Sequence, residues 1–270
     1  MVTVLRPLSL SELLDRTFFL YRKHFVLFVG IVALPQLAVL AVNLGGAMLR
    51  LRGSFSGTLL LSMVAAFVSV IALTASHAAT AIAVSNVHLE RPTSIGGAFS
   101  TIGSRLLPIV GILFCIDLGI GIGFIFLIAP GIYLALTWAL SIPVTVLEGT
   151  GLSGTTNRSS TLTKGDKGRI FVVAFLMVVL IWIATVIINI PIIMLVALTH
   201  ADNPAAVQGW TTALSSIGSF ISTSLVGPLM TIALTLLYYD NRVRKEGFDL
   251  QLMMATMQTG QQSVSAATTS

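Results

Sequence analysis

The sequence predicts an all-α fold: a polytopic membrane helical bundle of six transmembrane helices, arranged as three helical hairpins, each preceded by a short interfacial amphipathic helix. Three observations predict it. The 270 residues are 55% hydrophobic and only 9% charged, with mean hydropathy +0.96, whereas soluble domains carry about 25% charged residues. Fifteen bases and ten acids cannot clothe a soluble globule of this size in polar surface. Long runs with almost no charge exceed the ~20 apolar residues that cross ~30 Å of hydrocarbon, and short polar segments recur before alternate runs at matched spacing. A soluble enzyme, a nucleic-acid reader, a disordered chain and a disulfide scaffold are excluded as descriptions of the whole chain. Cys115 is the only cysteine, so neither an intramolecular disulfide nor a cysteine metal cluster can form.

The runs lie at 25–49, 53–89, 106–147, 170–201 and 203–239. The third is too long for one span and contains Pro130-Gly131, a turn pair lacking one helix donor. Splitting it there predicts helices at 25–49, 58–88, 106–129, 131–148, 170–199 and 210–239. Pro35, Pro143, Pro191 and Pro228 fall inside spans and should kink them, which membrane helices tolerate when neighbours satisfy the freed carbonyls. Six charged residues precede the first run, which is too long for a cleavable leader and is expected to stay as a signal anchor. Residues 1–250 read as one integral membrane domain, with 251–270, rich in Gln, Ser, Thr and Ala, as a flexible cytoplasmic tail.

Orientation follows the distribution of Lys and Arg. One side collects thirteen bases, from Arg6 through Lys245, and the other only Arg50 and Arg52. Both termini should therefore be cytoplasmic, in a multi-pass protein of the cell (inner) membrane.

The first and last spacer segments match. Leu10-Ser11-x3-Asp15-Arg16-x3-Leu20-x-Arg22 precedes the first span, and Leu152-Ser153-x3-Asn157-Arg158-x3-Leu162-x-Lys164 precedes the fifth. The middle copy keeps only Ser94 and, eleven residues on, Arg105. Each even-numbered span ends near an acid: Glu90, Glu148 and Asp240. The chain thus reads as three units, about 8–90, 92–148 and 151–245. In the first, Leu10, Leu13, Leu14, Thr17, Phe18 and Tyr21 follow helical spacing, as expected for a helix lying among headgroups.

The spans carry packing signals. Ser62, Ala65, Ser69, Ala72, Ser76, Ala79, Ala83 and Asn86 alternate at three and four residues, a seam of period 3.5. Gly111, Cys115, Gly119 and Gly123 form a small-xxx-small face, which makes Cys115 a packing residue. Chemical motifs fail one by one. Gly119-x-Gly121-x-Gly123 has Phe124 in place of the last fingerprint glycine, and Gly149-x4-Gly154 has Thr155 in place of the phosphate-binding lysine. The four histidines lack metal-ligand spacing, and no paired carboxylates suggest acid/base hydrolysis. No catalytic residue, cofactor or metal is expected.

Two stretches carry a resemblance. Leu5-Arg6-Pro7-Leu8-Ser9 through Leu13-Leu14-Asp15-Arg16 with Tyr21-Arg22-Lys23 is one. Leu237-Tyr238-Tyr239-Asp240-x-Arg242-Val243-Arg244-Lys245-Glu246-Gly247-Phe248-Asp249-Leu250 is the other. Together they resemble bacterial integral membrane proteins related to the membrane domain associated with glycerophosphoryl diester phosphodiesterases. The resemblance implies a multi-helix membrane domain. In those phosphodiesterases hydrolysis belongs to a separate soluble barrel, for which this sequence has no matching motif, so no catalytic residue carries over. Within the second stretch, Asp240 with Arg244 and Glu246 with Arg242 stand at i,i+4 and should pair.

Two functions are compatible with these features. The first is a non-catalytic scaffold or accessory to envelope or lipid processes. Its basic interfacial helices would contact anionic lipid headgroups on the cytoplasmic side through Arg16, Arg22, Lys23, Arg158, Lys164, Arg169, Arg242, Arg244 and Lys245. The second is a small proton- or cation-coupled transporter or channel built on an intramembrane polar site of Asp117, His77 and Gln36. Asp117 falls near the midplane of the third span, where a charge costs at least ~2.5–3.5 kcal/mol. It should face the bundle interior, as a protonated helix–helix lock or as a coupling site. The partners expected are membrane lipids; no nucleic acid is expected, and the sequence names no protein partner.

Overall fold

The computed structural model describes residues 8–199 and 204–247. The predicted tail at 251–270 and the motif residues Phe248, Asp249 and Leu250 lie outside the described residues. Ten helices and no strand occur among the described residues: α1 (Leu10–Lys23), α2 (Phe25–Leu51), α3 (Phe55–His88), α4 (Ile95–Gly103), α5 (Leu106–Phe126), α6 (Ile128–Thr137), α7 (Ser141–Glu148), α8 (Leu152–Thr163), α9 (Lys167–Thr199) and α10 (Pro204–Glu246). Six segments are long and apolar enough to span a membrane, the fourth being α6 and α7 together. The short helices α1, α4 and α8 each stand before a pair of spans.

Local chemistry explains the element ends. At α1 the Ser9 hydroxyl accepts from the Glu12 N–H (3.2 Å), and the Glu12 carboxylate accepts from the Ser9 N–H (2.8 Å). This reciprocal cap satisfies two orphan donors. At α4 the Ser94 hydroxyl accepts from the Gly97 N–H at 3.1 Å. Glu90 ends α3 with φ 56°, while the Arg91 N–H donates back to the Asn86 carbonyl at 2.8 Å. That is a Schellman closure, with Glu at the left-handed position where glycine is preferred.

The turn between the third and fourth spans differs from the expectation at Pro130-Gly131. The break is at Leu127, whose backbone is extended (φ −168°, ψ 152°), and Pro130 sits in the first turn of α6. There its missing N–H would have had no intrahelical partner anyway. Gly131 allows the hairpin to close: a Cβ on it would stand 2.5 Å from the Phe124 ring. A second break, at Trp138–Leu140, divides α6 from α7, so the fourth span is not one uninterrupted helix as expected. Pro143 lies in the first turn of α7 and withholds the donor that would continue the ladder. Pro35, Pro191 and Pro228 lie within continuous helices.

The helix α10 organises the packing. It runs along α2 on one side and α9 on the other, and touches α1, α3, α7 and α8. Ile232 and Leu236 on one face join Phe28, Ile31, Ala79 and Leu113 in the first core. Leu229, Ala233 and Leu237 on the other face join Leu13, Val144 and Met177 in the second. At 43 residues and 1.5 Å per residue, α10 is about 65 Å long. It exceeds the ~30 Å hydrocarbon slab, so its last turns project beyond it.

The two small-residue seams fare differently. In α3, Ala72, Ser76, Ala79 and Ala83 are buried while Ser62 is exposed, so the seam closes over one half of the helix. In α5, Gly119 lies under the Trp138 ring and Gly123 against Gly131, whereas nothing approaches Gly111 and Cys115 is exposed. The packing role expected of Cys115 is not realised within the chain.

Replacing Glu90 with Gly removes a left-handed non-glycine residue and is expected to stabilise the fold by about 1 kcal/mol. The thermal unfolding midpoint of Glu90→Gly in detergent, compared with wild type, checks this; an unchanged or lower midpoint contradicts it.

Candidate functional site

The densest polar cluster lies where the start of α1 meets the end of α10. Asp240 is the centre of its first part, with a side chain 0% exposed. A carboxylate removed from water needs cations and donors around it. It has both. The Leu8 N–H donates to Asp240 Oδ1 at 2.6 Å, and Arg169 and Arg244 both donate to Oδ2, the latter at 2.9 Å. The same guanidiniums return to the Leu8 carbonyl, Arg169 Nη2 at 2.8 Å and Arg244 Nη2 at 2.5 Å. Leu8 is thereby fastened by both of its backbone groups, and the two ends of the described chain are on one side of the bundle.

Arg158 is the centre of the second part. Its Nε donates to both Glu148 oxygens (3.1 and 2.9 Å), and its Nη1 and Nη2 donate to Glu246, the latter at 2.9 Å. One guanidinium thus bridges the ends of α7 and α10, with a bifurcated Nε–H on Glu148 and a two-donor fork on Glu246, the geometry at which Arg exceeds Lys. The Tyr238 hydroxyl donates to Glu148 Oε1 (2.8 Å). Arg242 closes the ring, with Nε to Glu246 at 3.2 Å and Nη1 to the Tyr238 oxygen at 3.2 Å. The Glu246 carboxylate raises the Arg158 pKa above the ordinary arginine value, so this centre stays cationic.

Lys245 completes the cluster at the C-terminus of α8. Its ammonium donates to the Leu162 carbonyl (2.9 Å) and the Lys164 carbonyl and pairs with Asp166 at 3.3 Å. A cation at orphan helix carbonyls is favoured by both hydrogen bonding and the dipole. The helix α8 itself is held by hydroxyls. Ser159 Oγ and Thr163 Oγ1 both donate to the Thr137 carbonyl (2.9 and 3.1 Å), at the break between α6 and α7. The carboxylates of this cluster are engaged by cations, so its chemistry is that of a clamp.

Residues 109–266 match the family described as the membrane domain of glycerophosphoryl diester phosphodiesterase. That stretch takes in α5 to α10, and with them every carboxylate of the clamp. The chain belongs to this family. No curated protein and no solved structure matches the chain. Within this member of the glycerophosphoryl diester phosphodiesterase membrane-domain family, the match begins after α4. Of the two stretches that carried the resemblance, the carboxy-terminal one lies inside it and the amino-terminal one before it.

The clamp changes the reading of nine bases expected to meet headgroups. Arg158, Arg169, Arg242, Arg244 and Lys245 are committed to carboxylates within the chain. The i,i+4 pairs Asp240–Arg244 and Glu246–Arg242 are present as expected, but each acid also holds a base from another helix. Sequence reading missed these long-range partners. The ten-residue interval from Glu148 to Arg158, across a turn into a helix, was the available signal for one of them. The helix α8 is likewise wedged into the bundle, with Thr155, Ser159, Leu162 and Thr163 buried. Arg16 is partly buried, and Arg22, Lys23 and Lys164 are exposed.

The intramembrane polar site is not assembled. Asp117 is on the exposed side of α5 rather than in the bundle interior, while His77 and Gln36 are partly buried. No hydrogen bond or ion pair among the described residues engages Asp117. The register of α5 puts it at the margin of the buried face: α5 buries Ile109, Leu113, Ile116 and Gly123, and position 117 stands about 85° from the centre of that face. The interior placement expected of Asp117 is not observed within the single chain.

Removing the central carboxylate should be severe. Asp240→Ala leaves Arg169 and the Leu8 N–H without their partner and is expected to cost about 3–5 kcal/mol. Lys23→Ala, at an exposed site, should stay within about 0.5 kcal/mol. Denaturant unfolding in detergent micelles measures both, and equal effects would remove Asp240 from the centre of the fold.

Proposed function

We propose that this protein is a non-catalytic membrane scaffold or accessory of the cell membrane, which presents α1 to anionic lipid headgroups on the cytoplasmic side. The observation that carries the reading is the division of α1 into two faces. Leu13, Thr17 and Leu20 are buried against the bundle, while Phe18 and Phe19 are 40% and 61% exposed beside Arg22 and Lys23. A shallow concavity of about 550 Å³ is lined by Asp15, Phe18, Phe19, Arg22 and Lys23. Aromatic rings with flanking bases suit the acyl–headgroup boundary, where the rings enter and the cations stay with lipid phosphates. The Lys23 ammonium stands 5.9 Å from the Phe19 ring centre, which keeps charge and ring together. The thirteen-to-two distribution of bases supports the cytoplasmic assignment of this face.

The clamp gives this presentation a fixed orientation, because Leu8, next to the cap of α1, is tied to Asp240, Arg169 and Arg244. The wider role fits a domain whose soluble catalytic neighbour, where one exists, is a separate unit.

Depth measurement tests the proposal. In a Cys115→Ser background, a spin label at Phe19→Cys is expected to report the acyl–headgroup boundary in nanodiscs containing phosphatidylglycerol. Adding Arg22→Gln and Lys23→Gln should shift it toward water. A label that is water-exposed from the start contradicts the reading. A reporter fused after Ser270 should read out in the cytoplasm, and an external readout would overturn the orientation.

A further inference from the structure

We propose that the bundle end opposite the clamp holds a phosphate-binding groove at Arg50, built to take the phosphate of a phospholipid headgroup. The groove lies between the end of α2, the start of α3 and the start of α10. It measures about 370 Å³ and is lined by Arg50, Gly53, Ser54, Thr58, Ser62 and Gln208, with Leu59 at its edge. A narrower extension of about 40 Å³ shares Arg50, Thr58 and Ser62 and runs inward to Asn43 and Thr212.

Among the described residues its charge is one-sided. Arg50 has a single hydrogen bond among the described residues, from Nη1 to Thr212 Oγ1 at 3.0 Å, and that hydroxyl is neutral. The Thr212 hydroxyl in turn donates to the Gln208 carbonyl at 2.8 Å, so the oxygen facing Arg50 is oriented as an acceptor. One N–H of five is used, and the guanidinium keeps its full charge with a fork of donors to spare. Residues 25–89 and 204–239 contain no Asp or Glu; the carboxylates of α10, Asp240 and Glu246, lie in the clamp at its far end, and Asp202, just before α10, lies outside the described residues. Ser54 caps α3 without a side-chain bond, which leaves donors at that helix start unsatisfied beside the cation. At the other end of the molecule, by contrast, Arg158, Arg169, Arg242 and Arg244 all meet acids within the chain.

The choice of a lipid phosphate over a free one rests on the wall below the groove. Leu59, Leu60 and Met63 of α3 are 55%, 66% and 68% exposed and run from the groove toward the apolar middle of the span. A phosphodiester seated at Arg50 would lay its acyl chains along this wall. Free phosphate would gain nothing from it.

Native mass spectrometry of the full chain in detergent, titrated with phosphatidylglycerol or phosphatidylcholine, tests the proposal. Wild type is expected to retain phosphatidylglycerol preferentially. Arg50→Gln should weaken that binding roughly tenfold, while Arg52→Gln, which removes the neighbouring exposed base, should not. Gln208→Glu keeps Arg50 and sets a carboxylate in the groove at an exposed position. It should produce a comparable loss even if Arg50→Gln fails to fold. An Arg22→Gln, Lys23→Gln variant should preserve the Arg50-dependent part, which separates this groove from the α1 surface. Binding by folded Arg50→Gln or Gln208→Glu equal to wild type overturns the proposal. Displacement of bound lipid by millimolar inorganic phosphate would support the oxyanion site and overturn phospholipid as its source.

Discussion

The carboxylate of Asp240 is fully withdrawn from water, and much of the architecture follows from how that charge is satisfied. Two guanidiniums and one backbone N–H surround it, drawn from α9, from one turn further along α10, and from the residue before the cap of α1. A buried charge with one cation would be poorly compensated; with three donors it becomes a fastening point. The fastening joins Leu8 to Asp240, more than two hundred residues away in sequence. The end of α10 itself is set by Gly247, which takes a left-handed φ of 58° just past Glu246.

The helix α10 can serve this purpose because it is long and two-faced. Its middle separates two hydrophobic cores, with Ile232 and Leu236 in one and Leu229, Ala233 and Leu237 in the other. Its last turns, beyond the hydrocarbon, then carry Tyr238, Asp240, Arg242, Arg244, Lys245 and Glu246 into contact with α1, α7, α8 and α9. Membrane helices gain little from apolar burial against one another, since lipid is equally apolar. Polar fastening at the headgroup level and close approach at Gly123 and Gly131 are therefore the means by which these helices choose partners.

The two segments of matched spacing, before α2 and before α9, differ in what their side chains meet. Arg158 is engaged by Glu148 and Glu246, and its helix α8 is wedged inside. Asp15-Arg16 in the first belongs to a helix that exposes Phe18, Phe19, Arg22 and Lys23. One short helix before a pair of spans thus supplies a clamp residue, and the other leaves aromatic rings and bases exposed. Charge at the opposite end follows a different rule. Few bases stand there, and Arg50 is held by a threonine rather than an acid, which leaves its attraction for an anion unspent.

Sequence alone determined the helical class, the six spans, the short helix before each pair and the i,i+4 pairs of α10. These depend on run length, on period and on residues a turn apart, all of which are local. The tertiary structure decided what the charges do. Whether Arg169 meets lipid or Asp240, whether Arg158 bridges two helix ends, and whether Asp117 turns inward or outward all depend on helix rotation and on contacts between distant segments. A rotation of 100° per residue moves a side chain from core to surface without altering hydropathy. For that reason the span around Asp117 was legible and its facing was not. The break at Leu127 rather than Pro130 has the same origin: a proline tolerated in a first turn is indistinguishable, in sequence, from one that ends a helix.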